Sequence, residues 1–263
     1  MDKEETLKYL EFAKRLADKA GGIMLKHFHV DVETRTKADK TIVTIADEEV
    51  NRMVIEEVAK AFSSHSVLGE EQSVDKQSKY IWVCDPVDGT TPYAKGIPVA
   101  VFSLALVVEG TPLVGVVSDP FTKRLYSATK DGGAFLNGEP LKVSSVGLGE
   151  SATINIEWWS NAPYDVDTAM HGLSLETSTY VLHMGCVVQA ACLVASGQYE
   201  ACVYAGTKGK NVDVAAVKLI VEEAGGVVTD IKGNEQRYDR DINGAIISNK
   251  EVHSKLVEKL KNL

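Results

Sequence analysis

The hydrophobic pattern changes its period along the chain, and this change limits the folds that the chain can adopt. From Glu4 to Phe28 and from Ile45 to Phe62, apolar residues recur every three or four positions, which predicts two amphipathic helices. From Tyr80 to Thr129, aromatic and β-branched runs separated by turn residues predict antiparallel strands. Beyond Glu150 the predicted strands alternate with helical segments. Hairpin strands followed by alternating strands and helices indicate a layered α+β or mixed α/β fold.

Turn residues set the predicted boundaries of these elements. The strand Tyr80–Cys84 is predicted to stop at Asp85-Pro86, because proline cannot donate to a strand ladder. Glu109–Pro112 is predicted to be the hairpin turn between strands Val99–Val108 and Leu113–Ser118. The other predicted elements are strands at Arg124–Thr129, Glu150–Glu157, Thr179–His183, Tyr199–Tyr204 and Gly244–Ser248, and helices at Cys186–Ser196, Asp213–Ala224 and Lys250–Lys261.

Composition narrows the class of protein and of ligand. The chain has 263 residues, of which 44% are hydrophobic, enough to bury one large core or two smaller ones. Its 28 Lys and Arg against 37 Asp and Glu give a net charge of −9, which leaves no broad basic surface for a nucleic acid polymer. A single phosphorylated metabolite is anionic and would be repelled, unless bound cations neutralise some of the carboxylates.

The N-terminal segment carries charges at nearly every helical turn and lacks the apolar core of a signal peptide. No stretch approaches the roughly 20 apolar residues of a membrane span. We therefore expect a soluble, cytoplasmic protein without a membrane partner.

The cysteines form no CxxC pair, which favours buried reduced thiols over disulfides or a zinc site at Cys84, Cys186, Cys192 and Cys202.

The most informative segment is Asp85-Pro86-Val87-Asp88-Gly89-Thr90-Thr91, directly after a predicted strand. Asp85 and Asp88 could place two carboxylates and one carbonyl around a hard cation, with Gly89 allowing a close approach of the backbone. The N–H groups of Gly89 and Thr90 would then point to a phosphate. The alternative is an ordinary turn, since Asp-Pro and Asp-Gly pairs are common in turns.

Two further acids stand at the ends of apolar segments. Glu70 follows Val67-Leu68-Gly69, and Asp213 begins an apolar helix. Each has a plain structural explanation, a surface turn for Glu70 and a helix N-cap for Asp213. Taken together with Asp85 and Asp88, acids at strand ends and at a helix start are typical of a Mg²⁺ site.

These residues lie in motifs that resemble the inositol monophosphatase family. The matching segments are Asp39–Asp47, Gly69-Glu70-Glu71, Trp82–Thr91, Gly132–Ser144, and Asp213 with Glu223–Gly226. The resemblance covers nearly the whole chain and implies a layered αβαβα sandwich of the inositol monophosphatase / fructose-1,6-bisphosphatase type. It also implies a Mg²⁺-dependent, lithium-sensitive phosphomonoesterase that is commonly a homodimer. Because the motifs span both halves, we expect one catalytic unit over residues 1–263, with an N-terminal α+β lobe at about 1–145 and a C-terminal α/β lobe at about 146–263.

The resemblance also assigns roles to residues of this chain, with two or three Mg²⁺ in the site. One Mg²⁺ would be held by Glu70, Asp85 and the Val87 carbonyl, and a second by Asp85, Asp88 and Asp213. Glu70 would also reach a third. The implied catalytic residues are Asp47, Glu70 and Thr90, with Asp47 and Thr90 orienting the attacking water. The implied substrate contacts are Asp88, Gly89, Thr90, Gly185, Cys186 and Val187. No phosphoenzyme is expected, because an activated water takes the place of a side-chain nucleophile.

Some positions depart from the family pattern and leave the substrate open. Gly206 stands where inositol-preferring members have an acid, and Val212 stands where the family usually has tryptophan. Lys208 and Lys210 lie in the same loop and could contact a second anionic group, or form a solvated loop without a ligand.

The sequence therefore leaves open both the substrate and the kind of activity. Histidinol phosphate, fructose 1,6-bisphosphate and 3′-phosphoadenosine 5′-phosphate stand beside an inositol-1-phosphate-like substrate. For a basic alcohol such as histidinol, Glu200 is the nearest acid that the sequence offers. A non-catalytic scaffold that binds metal and phosphometabolites is the alternative of another class.

Overall fold

The computed structural model describes residues 2–29, 32–37, 41–157, 162, 165–204 and 211–263. Within these ranges the helices are α1 Lys3–His27, α2 Ile45–Ala61, α3 Thr90–Ala94, α4 Val166–Thr177, α5 Val187–Ala195, α6 Asn211–Glu223 and α7 Lys250–Leu260. The strands are β1 Thr34–Thr36, β2 Ile42–Thr44, β3 Ser66–Gly69, β4 Tyr80–Asp88, β5 Val101–Val108, β6 Thr111–Asp119, β7 Arg124–Thr129, β8 Gly133–Leu136, β9 Glu139–Pro140, β10 Thr153–Glu157, β11 Tyr180–Leu182, β12 Ala201–Tyr204, β13 Val227–Thr229 and β14 Ala245–Ser248. The two helices predicted at the start of the chain are confirmed as α1 and α2.

Two mixed sheets organise these elements. The larger sheet has the strand order β3-β4-β5-β6-β7-β8-β9, in which β3 is parallel to β4 and the other pairs are antiparallel. The smaller sheet has the order β11-β10-β12-β14-β13, in which β10 is parallel to both of its neighbours. A short hairpin of β1 and β2 stands apart from both sheets. The predicted change from hairpin strands to alternating strands and helices is thus the change from the first sheet to the second.

Three buried clusters define the layers. Helices α1 and α2 pack on the outer face of the larger sheet, with Leu16 and Trp82 among the buried residues. Helices α5 and α6 lie between the two sheets. Helices α4 and α7 cover the outer face of the smaller sheet, where Met170 and Leu256 are buried. The predicted αβαβα layering is therefore confirmed.

The middle layer explains the unusual composition of α6. All of its residues from Asn211 to Val221 are buried, as expected for a helix enclosed by sheets on two sides. It packs closely on β6, because a Cβ atom at Gly115 would lie only 2.7 Å from the Ala216 carbonyl oxygen. Asp213 lies in the first turn of this helix, so its carboxylate is buried at the helix start.

None of the described helices has the length and apolar character that a bilayer crossing requires.

Strand β4 differs from its prediction at the point that matters for the site. The expected stop at Asp85-Pro86 is wrong, because β4 continues to Asp88. Asp85 pairs with Ser103 and Asp88 with Val101, so an interval of three residues on β4 faces an interval of two on β5. Pro86 falls inside this bulge, where the ladder already lacks a partner and a missing N–H costs nothing. The bulge also resets the alternation of side chains, so two acids three positions apart can face the same side.

The hairpin after β5 is tighter than predicted. Its turn consists of Glu109 and Gly110, which both have positive φ angles, of 52° and 91°. Two central residues with positive φ form the turn that matches the twist of the flanking strands. Strand β6 therefore begins at Thr111 and includes Pro112, beside a register shift at Leu106.

Candidate active site

A pocket of about 240 Å³ lies where β4, α3 and α6 begin or end. Acids from both halves of the chain line this pocket. The lining residues are Thr41, Ile42, Glu70, Asp85, Val87, Asp88, Gly89, Thr90, Thr91, Gly185 and Asp213. The pocket is smaller than a typical site for a drug-sized ligand, and its size suits a small phosphate ester.

Asp47 lies behind the pocket wall and connects it to the start of α2. Its Oδ2 atom accepts hydrogen bonds from the Thr44 backbone N–H at 2.8 Å and from the Thr44 hydroxyl at 2.5 Å, which is a capping box. Its Oδ1 atom lies 3.2 Å from the Thr90 hydroxyl. Burial raises the pKa of Asp47 to about 7, against the hydrogen bonds from Thr44, and the charges of Glu71 and Glu70 add to the rise. Asp47 thus caps α2 with one carboxylate oxygen and contacts Thr90 of the site with the other.

Thr90 begins α3 and faces two acceptors. Its hydroxyl lies 3.0 Å from the Val87 carbonyl oxygen as well as near Asp47. Gly89, directly before it, has a φ angle of 88°, and a Cβ atom there would lie 2.5 Å from the Val99 carbonyl oxygen. Only glycine combines this left-handed conformation with so close an approach. The backbone therefore turns sharply between Asp88 and Thr90, at the start of α3, where the first N–H groups of a helix have no acceptor within the helix.

Asp88 is held from the opposite side by the start of α5. Its Oδ2 atom accepts hydrogen bonds from the Val188 backbone N–H at 2.7 Å and from the Cys186 thiol at 2.9 Å. Burial raises the pKa of Asp88, and the negative charge of Asp213 raises it further, whereas these two hydrogen bonds lower it. Helix N-termini stabilise negative charge, so α5 helps to hold this carboxylate.

The predicted substrate turn is only partly at the pocket. Gly185, with a φ angle of 81°, lines it. Cys186 and Val187 are buried behind Gly185. All four cysteines are free and buried, as predicted, but Cys186 has a direct contact with a site carboxylate that sequence reasoning missed.

Lys37 is a second residue that sequence reasoning missed. It follows β1, and its Nζ atom lies 3.3 Å from Glu70 Oε1 and 2.5 Å from Glu71 Oε1. Burial lowers the pKa of Lys37, but the charges and hydrogen bonds of Glu70 and Glu71 outweigh it and raise the pKa. The β1–β2 hairpin thus brings a cation to the acid pair after β3. No spacing signal in the sequence connects Lys37 to residues more than thirty positions later.

The donors in this pocket suit a hard divalent cation in chemical type. They are the carboxylates of Glu70, Asp85, Asp88 and Asp213, together with the backbone of Val87. In the described part of the chain, no three His, Cys, Asp or Glu side chains already converge as a closed metal site would require. Glu70 instead pairs with Lys37, and Asp88 is turned toward α5. Coordination therefore requires these side chains to close around the ion.

A third missed residue is Glu157, at the end of β10. Its Oε1 atom accepts hydrogen bonds from the Gly185 backbone N–H at 2.7 Å and from the Asn155 side chain at 3.1 Å. Glu200, the acid that the sequence offers, lies instead before β12 and binds the Ser144 hydroxyl at 3.0 Å and the Thr153 N–H at 2.6 Å. Glu200 supports the fold and does not line the pocket, whereas Glu157 contacts Gly185, which does.

Several predicted positions lie outside the described residues. They are Asp39 in the first matched segment, and Gly206, Lys208 and Lys210, which precede α6 in the sequence. Val212 is described and buried in the first turn of α6.

A profile described as the inositol monophosphatase family matches residues 5–263 of this chain. The chain belongs to the inositol monophosphatase family. Its members are phosphomonoesterases, and this protein is a phosphoric monoester hydrolase of that family.

Similar proteins agree with this family assignment. The chain is 31% identical over 252 residues to a fructose-1,6-bisphosphatase/inositol-1-monophosphatase of Thermotoga maritima, covering 95% of this chain and 94% of the relative. A solved IMPase of the same organism has a TM-score of 0.87 at 28% identity, covering 97% of both chains. An IMPase/NADP phosphatase complexed with Mg²⁺ and phosphate has a TM-score of 0.80 at 25% identity, covering 96% of this chain and 93% of that chain. The family fold is thus shared along nearly the whole length.

Proposed function

We propose that this family member is a Mg²⁺-dependent phosphatase that hydrolyses a small, inositol-1-phosphate-like phosphate monoester by attack of an activated water. The observation that carries the proposal is that four carboxylates and the Thr90 hydroxyl line one pocket of about 240 Å³. The Mg²⁺ and phosphate in the related IMPase/NADP phosphatase support it.

The ion-holding residues are those that the family resemblance implies, and all of them line the pocket. Glu70, Asp85 and the Val87 carbonyl would hold one Mg²⁺, and Asp85, Asp88 and Asp213 a second. Glu70 could also reach a third, which gives two or three ions per site. When bound, Mg²⁺ supplies positive charge that makes a nearby water more acidic and neutralises the phosphate. That charge also removes the repulsion expected between a protein of net charge −9 and an anionic substrate.

Thr90 and Asp47 would position the attacking water. When the Thr90 hydroxyl donates its hydrogen to Asp47 at 3.2 Å, its lone pairs face the pocket and can accept a hydrogen bond from water. Asp47, with its pKa raised to about 7, is matched to accept a proton near neutral pH. The backbone N–H groups of Gly89 and Thr90 would bind the phosphate oxygens, so no covalent phosphoenzyme is needed.

The test is phosphate release from a panel of inositol, histidinol, sugar and nucleotide phosphates, with and without Mg²⁺, and with added Li⁺. We expect Mg²⁺-dependent turnover, and we expect Asp85→Asn to lose it, with weaker Mg²⁺ binding by calorimetry and an unchanged circular dichroism spectrum. Glu200→Gln is the matched control, since Glu200 is also a buried acid but does not line the pocket. An active Asp85→Asn variant would mean that the site is misplaced. Bound Mg²⁺ without turnover of any ester would favour the non-catalytic scaffold.

The remaining expectations stay predictions. They are sensitivity to lithium, a homodimer, a cytoplasmic location, and one catalytic unit built from two lobes. Turnover of histidinol phosphate, fructose 1,6-bisphosphate or 3′-phosphoadenosine 5′-phosphate in place of an inositol phosphate would decide the substrate within the family.

A further inference from the structure

Ser103 has a buried hydroxyl group that the proposed reaction does not use. It lies in β5, and none of its surface is exposed. Its Oγ atom forms no hydrogen bond with any residue that the structure describes. A hydroxyl group that is removed from water and lacks a partner costs free energy, and an alanine at this position would avoid that cost. The hydroxyl group therefore calls for an explanation other than support of the fold.

The strand ladder places Ser103 opposite one of the pocket acids. Ser103 pairs directly with Asp85 of β4, in the last regular pair before the bulge. On β4, Val83 is buried between the two sheets, two positions before Asp85. On β5, Ala105 is buried in the same layer, two positions after Ser103. Since side chains two positions apart lie on the same face of a strand, Asp85 and Ser103 both face this layer.

Opposite side chains of paired antiparallel strands are close enough for contact. Their Cβ atoms lie about 4.5–5.5 Å apart, so a serine hydroxyl can reach the carboxylate of its partner by rotation about side-chain bonds. Asp85 is 2% exposed, and its Oδ1 atom accepts the Val87 N–H at 3.0 Å. Asp85 lines the pocket, whereas Ser103 does not. Ser103 is thus a buried donor beside a pocket carboxylate.

We infer that Ser103 is a positioning residue for Asp85, whose carboxylate accepts a hydrogen bond from the Ser103 hydroxyl when it binds Mg²⁺. The inference rests on the proposed function, in which two ions share Asp85. A carboxylate has two oxygens with about four lone-pair sites, so it can bind an ion and still accept a hydrogen bond. Donors that bind a metal ligand from behind fix its orientation. Ser103 thus acts through Asp85 and does not touch the substrate.

Substitutions of Ser103 separate this role from support of the fold. Ser103→Ala removes a hydroxyl that has no partner in the described part of the chain, so the stability of the metal-free protein should not fall. Mg²⁺ binding should weaken, because Asp85 loses its donor. A serine that only supported the fold would give the opposite result, with lower stability and unchanged Mg²⁺ affinity. Ser103→Thr keeps the hydroxyl but adds a methyl group to a closed position, so it should lower stability and retain Mg²⁺ affinity.

Tyr238 provides the matched control. It is fully buried, its hydroxyl also lacks a partner among the described residues, and it does not line the pocket. Tyr238→Phe therefore removes a buried hydroxyl without a partner away from the site. Neither the stability of the metal-free protein nor its Mg²⁺ affinity should fall.

The experiment uses the full-length protein in three measurements. They are Mg²⁺ binding by calorimetry, urea unfolding without Mg²⁺, and phosphate release from inositol 1-phosphate as a function of Mg²⁺ concentration. We expect Ser103→Ala to raise the Kd for Mg²⁺ about 10- to 100-fold, as is typical when a group that orients a metal ligand is lost. The Mg²⁺ concentration for half-maximal activity should rise with it, while the urea midpoint stays the same or increases. Ser103→Thr should bind Mg²⁺ more tightly than Ser103→Ala.

Three results would overturn the inference. The first is wild-type Mg²⁺ affinity in Ser103→Ala. The second is a lower urea midpoint in this variant, which would make the hydroxyl a support of the fold. The third is an equal loss of Mg²⁺ affinity in Ser103→Ala and Ser103→Thr, which would make volume the cause. Failure of the proposed function is distinct, because the wild-type protein itself would then bind no Mg²⁺ or release no phosphate; without Mg²⁺ binding the inference falls as well.

Discussion

Substitution of Gly89 by alanine tests whether the sharp turn before Thr90 is a requirement of the site. Gly89 has a φ angle of 88°, and its added Cβ would lie 2.5 Å from the Val99 carbonyl oxygen and 3.2 Å from Ala100 Cα. The left-handed conformation costs a residue with a side chain about 1–2 kcal/mol. Relief of an overpacked contact costs about 1–3 kcal/mol more. We therefore expect Gly89→Ala to lower the free energy of unfolding by about 2–5 kcal/mol.

Gly138 provides the matched control. Its φ angle is 90°, but a Cβ atom added there meets nothing within 4 Å. Gly138→Ala should therefore lose only the conformational part, about 1–2 kcal/mol. The difference between the two variants isolates the close contact with the Val99 carbonyl.

The assay is urea unfolding followed by tryptophan fluorescence, together with kcat/KM for phosphate release. The Val99 carbonyl is backbone, so Gly89→Ala must shift the chain next to Thr90, and a shift near 1 Å should cost about a hundredfold in kcat/KM. Gly138→Ala should retain activity, since Gly138 does not line the pocket. Equal loss of stability in both variants would refute the contact argument, and full activity of a folded Gly89→Ala variant would refute the role of the turn.

Two further predictions concern Asp47 and Thr90. Thr90→Val removes the hydroxyl that lies 3.2 Å from Asp47 Oδ1, so kcat should fall about 100-fold or more while Mg²⁺ binding by calorimetry is kept; Thr91→Val is the control, and equal losses would contradict the assignment. Burial raises the pKa of Asp47 from 3.8 to about 7, so between these values the folded protein keeps a proton that the unfolded chain has lost. The free energy of unfolding of the metal-free protein should then fall as pH rises from about 5 to 7, by at most about 1.4 kcal/mol per pH unit from this group. Urea unfolding of Asp47→Asn should give a shallower slope, and parallel slopes would contradict the burial argument.

Local pattern predicted many of the elements and the layered α+β or mixed α/β class, whereas the αβαβα order of the layers was implied by the resemblance to the family. Helices α1 and α2 follow from their repeat of apolar residues, because each buries one face on a sheet. The apolar character of α6 follows from its enclosure between two sheets. The acids Glu70, Asp85, Asp88 and Asp213 could be selected from the sequence because their motifs resemble those of one family, and the structure brings all four to one pocket.

Local pattern failed where two elements constrain each other. Proline predicted the end of β4, but a bulge against β5 absorbs Pro86 and carries the strand on to Asp88. Without that extra residue, the alternation of a regular strand would turn Asp85 and Asp88 to opposite faces. The shared side of these acids is therefore a property of the pairing of β4 with β5.

The sequence by itself determined the fold class, the family and the acids of the pocket, because periodicity and motif spacing are local properties of the chain. Only the tertiary structure decided that Lys37 meets Glu70, that Cys186 donates to Asp88, and that Glu157 supports Gly185. Each of these contacts joins residues at least 28 positions apart. Packing of the hairpin, the helices and the second sheet brings such residues together. The hydrophobic repeat of the sequence is local, so it cannot indicate contacts between residues this far apart in the chain.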